Sequence, residues 1–264
     1  MPRSTKVILQ RLSDCSDHPW FDRTNDHDLA ILDAKNCSLF PPHNEAQAQG
    51  LLALGGDLSV ARLLAAYQQG IFPWYGEGEP IKWWSPDPRS VFLTGNIQIN
   101  RSLRRALRGK HWHLTVDQDF AGVIRGCAEP RDANDGTWLV PDMIDAYCAL
   151  HRAGYAHSVE VWEGERLVGG IYGVAIGRLF CGESMFCRES GASKLAFAAL
   201  GMLLAELGFP LLDSQVLNHH TASLGALQIW RDNYLALIES LTAQEGYLGS
   251  WAPFSAKLIQ PCRT

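Results

Sequence analysis

The sequence predicts an α+β protein in which helices pack against a mainly antiparallel sheet. Three observations lead there. Residues 157–186 read HSVEVWE, LVGGIYGVA and LFCGESMF, three apolar runs separated only by the turns GER and IGR, and connections that short join antiparallel neighbours. The segment SKLAFAALGMLLAELG that follows is apolar nearly all round a helix, the pattern of a buried one. After it PLLDSQV supplies a further strand.

The chain has 264 residues, 47% hydrophobic and 19% charged, an ordinary globular balance with enough apolar content for a substantial core. A net charge of -5 argues against wholesale coating of nucleic acid while allowing a local basic patch. The start MPRSTKVILQRLSDCSDHPWFDR has no apolar run of signal-peptide length, and no segment approaches the roughly 20 apolar residues of a membrane span, so a cytoplasmic protein is expected. Seven cysteines, odd in number and without a Cys-x-x-Cys pair, indicate reduced structural thiols rather than disulfides or a zinc ribbon.

In chain order, residues 1–38 are polar and aperiodic and read as an N-terminal extension or a peripheral strand, with no function assigned. After a Gly-Gly-Asp turn, Ser59 is an N-cap; Val60, Leu63, Leu64 and Tyr67 have helical spacing, and Gly70 follows the end. That helix feeds the aromatic loop IFPWYGEGEPIKWWSPDPRSVF. Its proline cluster, SPDPRS at 85–90, marks the boundary between a small N-terminal α/β domain, 39–88, and a larger domain, 89–264. A helix over about 100–108 places Arg101, Arg104, Arg105 and Arg108 on one face, which suits either a phosphate backbone or plain solvent. Another helix runs from Pro141 to a stop at Gly154, with Met143, Tyr147 and Leu150 on one side. Ser193 is expected to cap the buried helix, and HHTASLGALQI after the last strand reads as a polar helix.

Period-two alternation puts Leu179, Cys181, Glu183 and Met185 on one face of their strand, and Leu211, Asp213 and Gln215 on one face of theirs. Glu183, Asp213 and Gln215 thus interrupt otherwise apolar strands. Buried carboxylates cost several kcal/mol unless partnered, so the set marks either a site or side chains tied to backbone and arginine. The loop RESGAS resembles the loop with which acetyltransferases of the GNAT type hold a pyrophosphate, with Ser193 where glycine or alanine belongs. His219 and His220 are adjacent, diverge on a helix and lack a third ligand, so no metal is expected. No Walker loop, Gly-x-Ser-x-Gly elbow or His-Glu-x-x-His occurs.

Taken in order, GLLALGGDLS, LLAAYQQGIFPWY, WWSPDPRSVF, HSVEVWE, LVGGIYGVA, FCGESMF and LDSQVLNHHTASLGA closely resemble the bacterial leucyl/phenylalanyl-tRNA–protein transferases over roughly residues 40–240. The resemblance implies a GNAT-like larger domain that uses aminoacyl-tRNA, with no cofactor, in place of acetyl-CoA. Leucine or phenylalanine, and weakly methionine, would pass from Leu-tRNA or Phe-tRNA to the α-amino group of proteins beginning with arginine or lysine, creating an N-terminal degradation signal.

Residue by residue, the resemblance assigns Trp74, Trp138, Tyr67 and Tyr147 to the pocket for the terminal adenosine, and Trp83 and Trp84 to the junction of the two domains. It assigns the amino-acid side chain to Met185, Phe180, Ile171, Leu200, Leu204 and Leu212. Glu183 would accept hydrogen bonds from the α-ammonium, and Asp213 and Gln215 would orient the incoming amine. Whether Gln215, polarised by Asp213, relays a proton or the pair only positions the acceptor stays open. The arginine stripe fits the tRNA acceptor stem. An N-acetyltransferase and a noncatalytic tRNA- or peptide-binding module are the other classes compatible with the fold.

Overall fold

The computed structural model describes residues 29–33, 36, 38–97, 101–106, 108, 110–130 and 139–258. Two sheets organise these residues. The smaller is formed by β1 (Ala30–Leu32), β2 (Leu51–Gly55), β3 (Phe72–Pro73) and β4 (Lys82–Trp84) in the order β1-β2-β4-β3, with β1 and β2 parallel. The larger contains β5 (Arg89–Leu93), β6 (Trp112–Val116), β7 (Ala156–Glu163), β8 (Arg166–Ile176), β9 (Leu179–Cys187), β10 (Leu211–Gln215) and β11 (Leu227–Ile229). Its order is β11-β5-β10-β9-β8-β7-β6, antiparallel throughout except for the parallel pair β9 and β10. The described chain is therefore a mixed α/β structure with helix-flanked sheets, and the meander read from the sequence is β7, β8 and β9.

Helices cover both faces of the large sheet. On one side lies α5 (Ala192–Glu206), whose Leu195, Ala196, Leu200, Leu203 and Leu204 join Phe92, Ile171, Phe180 and Leu212 in a buried cluster. On the other side α3 (Phe120–Ala128) and α4 (Pro141–Arg152) pack with Tyr172, Val174 and Cys181, and the same cluster takes in Tyr67 of α1 (Val60–Gln68), Trp83 of β4 and Tyr234 of α7 (Arg231–Thr242). One continuous apolar mass thus joins the small sheet to one face of the large one. The short α2 (Arg101–Ala106) buries Leu103 and exposes its arginines.

Local chemistry explains the ends. Ser59 Oγ accepts a hydrogen bond from the Arg62 amide at 3.3 Å, the expected cap of α1. Pro141 opens α4, and Gly154 follows it at φ +83°. Two expectations are corrected. The N-cap of α5 is Gly191, whose φ of +95° suits a residue without Cβ, and Ser193 lies buried inside the helix. The polar helix over HHTASLGALQI is only α6 (His219–Ser223), held by an Asn218/Thr221 capping box, after which the chain extends into β11 and pairs with β5.

A third correction concerns strand faces. Tyr172 pairs with Ser184 but Gly173 pairs with Gly182, so Glu183 is the extra residue of a β-bulge in β9. Side-chain parity reverses there: Cys181 packs beside α3 and α4, whereas Met185 packs toward α5. A second bulge lies in β10, where Asp213 pairs with Val91 and Gln215 with Ser90, leaving Ser214 as the extra residue.

The first bulge depends on Gly173, because a Cβ there would lie 2.2 Å from the Cys181 carbonyl oxygen and 2.5 Å from the Phe180 ring. Gly173→Ala is expected to destabilise by about 1–3 kcal/mol, lowering Tm on the order of 5 °C in a thermal melt. An unchanged Tm would show that the β8–β9 contact relaxes freely.

Candidate active site

Pairing between the parallel strands β9 and β10 stops at Cys181 and Asp213, and the bulges just beyond it bring Glu183 and Gln215 toward one another. Gln215 Nε2 donates to Glu183 Oε1 at 2.9 Å. From the other side Tyr147 Oη donates to Glu183 Oε2 at 2.8 Å, and Tyr67 Oη lies 2.6 Å from Tyr147 Oη. Tyr67 comes from α1 and Tyr147 from α4, so three elements converge on one carboxylate.

Beside this cluster lies a buried ion pair. Arg89 Nε and Nη2 donate to Asp213 Oδ1 and Oδ2 at 2.9 and 2.7 Å, and both side chains are inaccessible to solvent. Tyr234 Oη donates to Oδ2 at 2.7 Å, and the Gln215 amide N–H donates to Oδ1 at 2.8 Å. Arg89 Nη1 reaches the Gly70 carbonyl at 3.0 Å, and the guanidinium lies 4.8 Å from the Phe72 ring centroid and 4.6 Å from that of Tyr234. Burial alone would lower the Arg89 pKa, but the Asp213 charge outweighs it and holds the guanidinium firmly protonated.

Glu183 behaves differently. Burial is the largest influence and pushes its carboxyl up to about 7, against the opposing hydrogen bonds from Tyr67, Tyr147 and Gln215; the Asp213 charge pushes the same way as burial. No cationic side chain among the described residues forms an ion pair with it. Burial likewise raises the pKa of Tyr67 and Tyr147, so both phenols remain protonated donors.

Glu183 and Gln215 line a cavity of about 560 Å³ whose apolar wall includes Ile171, Met185, Leu212, Phe92 and Phe197. The two phenylalanines meet edge to face, with ring centroids 4.8 Å apart. Trp74 stands in the cavity wall, 44% exposed, with its ring 5.8 Å from that of Trp84, and Trp84 Nε1 donates to the Trp74 carbonyl at 2.7 Å. On the α6 side, His220 Nε2 lies 3.4 Å from Met185 Sδ.

Of the side chains assigned from the sequence, Glu183, Gln215, Met185, Ile171, Leu212 and Trp74 share this cavity. Phe180, Leu200 and Leu204 belong to the buried cluster behind α5 and do not line it. Tyr67 and Tyr147 are fully buried and reach the site only through Glu183. Trp83 is buried in the shared core, its Nε1 donating to the Gly55 carbonyl at 2.9 Å. Trp138 lies outside the described residues. Arg101, Arg104, Arg105 and Arg108 are exposed on and just past α2 and are not among the residues of the cavity wall. In RESGAS, Arg188 is committed to Glu129 and to the Leu167 carbonyl.

Four residues escaped the sequence reading. Arg89 was hidden in SPDPRS, which registered only as a boundary, and Tyr234 in a helix that carried no signal of its own. Phe197 sat on a helix apolar all round, where nothing singled out one side, and Phe92 in a strand masked by the prolines before it.

The geometry is that of an apolar cavity with a carboxylate and an amide set in its wall, the carboxylate without an ion pair among the described residues. Comparison with known proteins makes this specific. The family model described as "Leucyl/phenylalanyl-tRNA protein transferase" matches residues 91–239, and that of its N-terminal domain matches residues 56–87. A "Leucyl/phenylalanyl-tRNA--protein transferase" of Solidesulfovibrio magneticus is 52% identical over 225 residues, covering 84% of this chain and 91% of the relative. One from Shewanella halifaxensis is 51% identical over 215 residues, covering 81% and 91%. A solved GCN5-related N-acetyltransferase-like protein from Streptococcus suis 89/1591 aligns at a TM-score of 0.31 with 11% identity, covering 86% of this chain and 98% of that one. The chain belongs to the leucyl/phenylalanyl-tRNA protein transferase family and is an aminoacyltransferase. No helix among the described residues is long and apolar enough to cross a membrane.

The folded-state pKa of Glu183, about 7, lies above the ordinary 4.5, so its contribution to stability is fully present below about pH 4.5 and is lost as pH rises through about 7. Glu183→Gln, neutral throughout, is therefore expected to gain in Tm relative to the parent between about pH 5 and about pH 8. A pH-independent difference in thermal melts would contradict a raised Glu183.

Proposed function

We propose that this enzyme moves leucine or phenylalanine, and weakly methionine, from aminoacyl-tRNA to the α-amino group of proteins that begin with arginine or lysine, in the cytoplasm, and so marks them for degradation. The observation that carries the reading is Glu183, a carboxylate in an apolar cavity with hydrogen-bond donors on both oxygens but no ion pair among the described residues. The α-ammonium of an aminoacyl ester supplies the missing charge, and its side chain then fills the space between Ile171, Met185, Leu212, Phe92 and Phe197. Such a wall excludes charged side chains but separates similar hydrophobes poorly, since one methylene is worth about 1–3 kcal/mol.

In this reading Gln215 orients the attacking amine or the ester carbonyl. The ester is already an activated acyl donor, and an α-amino group with a pKa near 8 is partly neutral at neutral pH, so catalysis is chiefly positioning. Trp74 and Trp138 stack on the terminal adenosine, while Tyr67 and Tyr147 serve it indirectly by fixing Glu183. The exposed arginines Arg101, Arg104, Arg105 and Arg108 follow the phosphates of the acceptor stem. The larger domain, residues 89–264, takes a GNAT-like arrangement, supported by the meander, the buried α5 and the strand β10 that follows it.

Label carried on Leu-tRNA or Phe-tRNA is expected to appear on a peptide beginning with arginine and not on one beginning with alanine. Equal labelling of the two peptides would refute the acceptor rule, and no transfer to either would refute the reaction. Trp74→Ala should weaken binding of the aminoacyl-adenosine end by about 1–3 kcal/mol, seen as a raised KM for aminoacyl-tRNA. Arg104→Ala combined with Arg105→Ala should reduce the slope of log affinity for tRNA against log salt by about 2; an unaltered slope removes α2 from the tRNA footprint.

A further inference from the structure

We propose that Arg89 is a positioning residue of the transfer reaction, acting through the Asp213 carboxylate and the Gln215 backbone to hold the turn that aims the Gln215 amide at Glu183. The inference rests on the role given to Gln215 above, and it assigns Asp213 a task other than polarising that side chain or capturing a cationic acceptor.

The first argument is an inventory of lone pairs. An ionised carboxylate has about four acceptor positions. Oδ1 of Asp213 accepts from Arg89 Nε and the Gln215 amide, and Oδ2 accepts from Arg89 Nη2 and Tyr234 Oη. All four are spent inside the protein, and Asp213 has no accessible surface. The Gln215 side chain turns away from Asp213 and donates to Glu183. Neither a relay between the two side chains nor capture of an external cation is open to this carboxylate.

The second argument is backbone conformation. Gln215 has φ +62°, in the left-handed region that residues with a Cβ rarely adopt, directly after the bulged Ser214. Such a conformation persists only where its surroundings over-determine it. Here the over-determining contact is the bond from the Gln215 amide to Asp213 Oδ1, and the Asp213 carboxylate is itself fixed by the two-pronged grip of Arg89.

The third argument is that Arg89 is itself immobilised from outside β5. Its remaining nitrogen is bound by the Gly70 carbonyl past the end of α1, and its plane lies between Phe72 of β3 and Tyr234 of α7. A lysine at 89 would retain the charge but has neither the fork nor the plane.

The test is a double-variant cycle on the full chain, with Leu-tRNA as donor and a peptide beginning with arginine as acceptor. Arg89→Lys is expected to lower kcat about tenfold or more, with the KM for Leu-tRNA changed less than about twofold. In a Gln215→Ala background the same substitution is expected to change kcat by less than about twofold, because its effect passes through Gln215. An equal fold-loss in both backgrounds would mean that Arg89 serves the fold alone and would overturn the proposal, as would an Arg89→Lys enzyme with parental kcat. Tyr234→Phe, which removes one bond to Asp213 and keeps the ring over Arg89, stands in if Arg89→Lys does not fold. It should show the same dependence on background with a smaller loss, and an equal loss in both would again overturn the proposal. A Gln215→Ala enzyme with parental kcat is a different failure: it removes Gln215 from the reaction, and this inference falls with it.

Discussion

The pairing of Arg89 with Asp213 is the interaction on which the rest of the site depends. Removing two charges from water costs several kcal/mol each, and mutual attraction offsets that only when the geometry is good and the remaining donors and acceptors are satisfied. Here a bidentate contact, a phenol, a carbonyl and a backbone amide supply that satisfaction. In doing so they tie β5 and β10 of the large sheet to α7 and to the chain leaving α1. The pair is thus less a source of net stability than a means of selecting one arrangement among several, since any other would strand a charge in the core.

Glu183 shows the opposite economy of charge. It too is carried on a strand bulge and is surrounded by donors, yet they are phenols and an amide instead of a cation. Two carboxylates on neighbouring strands therefore sit in contrasting surroundings, one gripped by arginine, the other lifted toward neutrality by burial. The protein completes the electrostatics of the first, and in the proposed reading a bound ammonium completes those of the second. On that proposal the asymmetry separates a carboxylate that shapes the site from one that meets the substrate.

Much of this was legible in the sequence because it rests on short-range rules. The meander followed from the two three-residue turns, α4 from Pro141 and Gly154, and the unusual status of Glu183, Asp213 and Gln215 from polar residues in apolar strands. What escaped depends on contacts distant in the chain. The partner of Asp213 lies in β5 and its second donor in α7, so only the folded topology brings Arg89 and Tyr234 to it. Strict alternation placed Met185 on the face of Cys181, because nothing in CGESM announces an extra residue; the glycine at 173, on the facing strand, is the faint trace of it. The polar stretch after β10 misled for a related reason: its capping box starts a helix well, but the edge of β5 claims the chain as soon as Leu227 can pair.

The bulge at Glu183 also decides which layer each side chain beyond it joins. Leu179 and Cys181 pack beside α3 and α4 and Phe180 toward α5, whereas beyond the bulge Met185 packs toward α5 and Phe186 against the opposite layer. Residues 184–186 continue the alternation of 179–182 once Glu183 is left out, so loss of the bulged residue would leave Met185 toward α5 and Phe186 in the opposite layer while removing the carboxylate, whereas flattening the bulge at constant length would exchange those layers. The bulge thus adds a carboxylate to the cavity wall without disturbing which layer its neighbours on either side pack into.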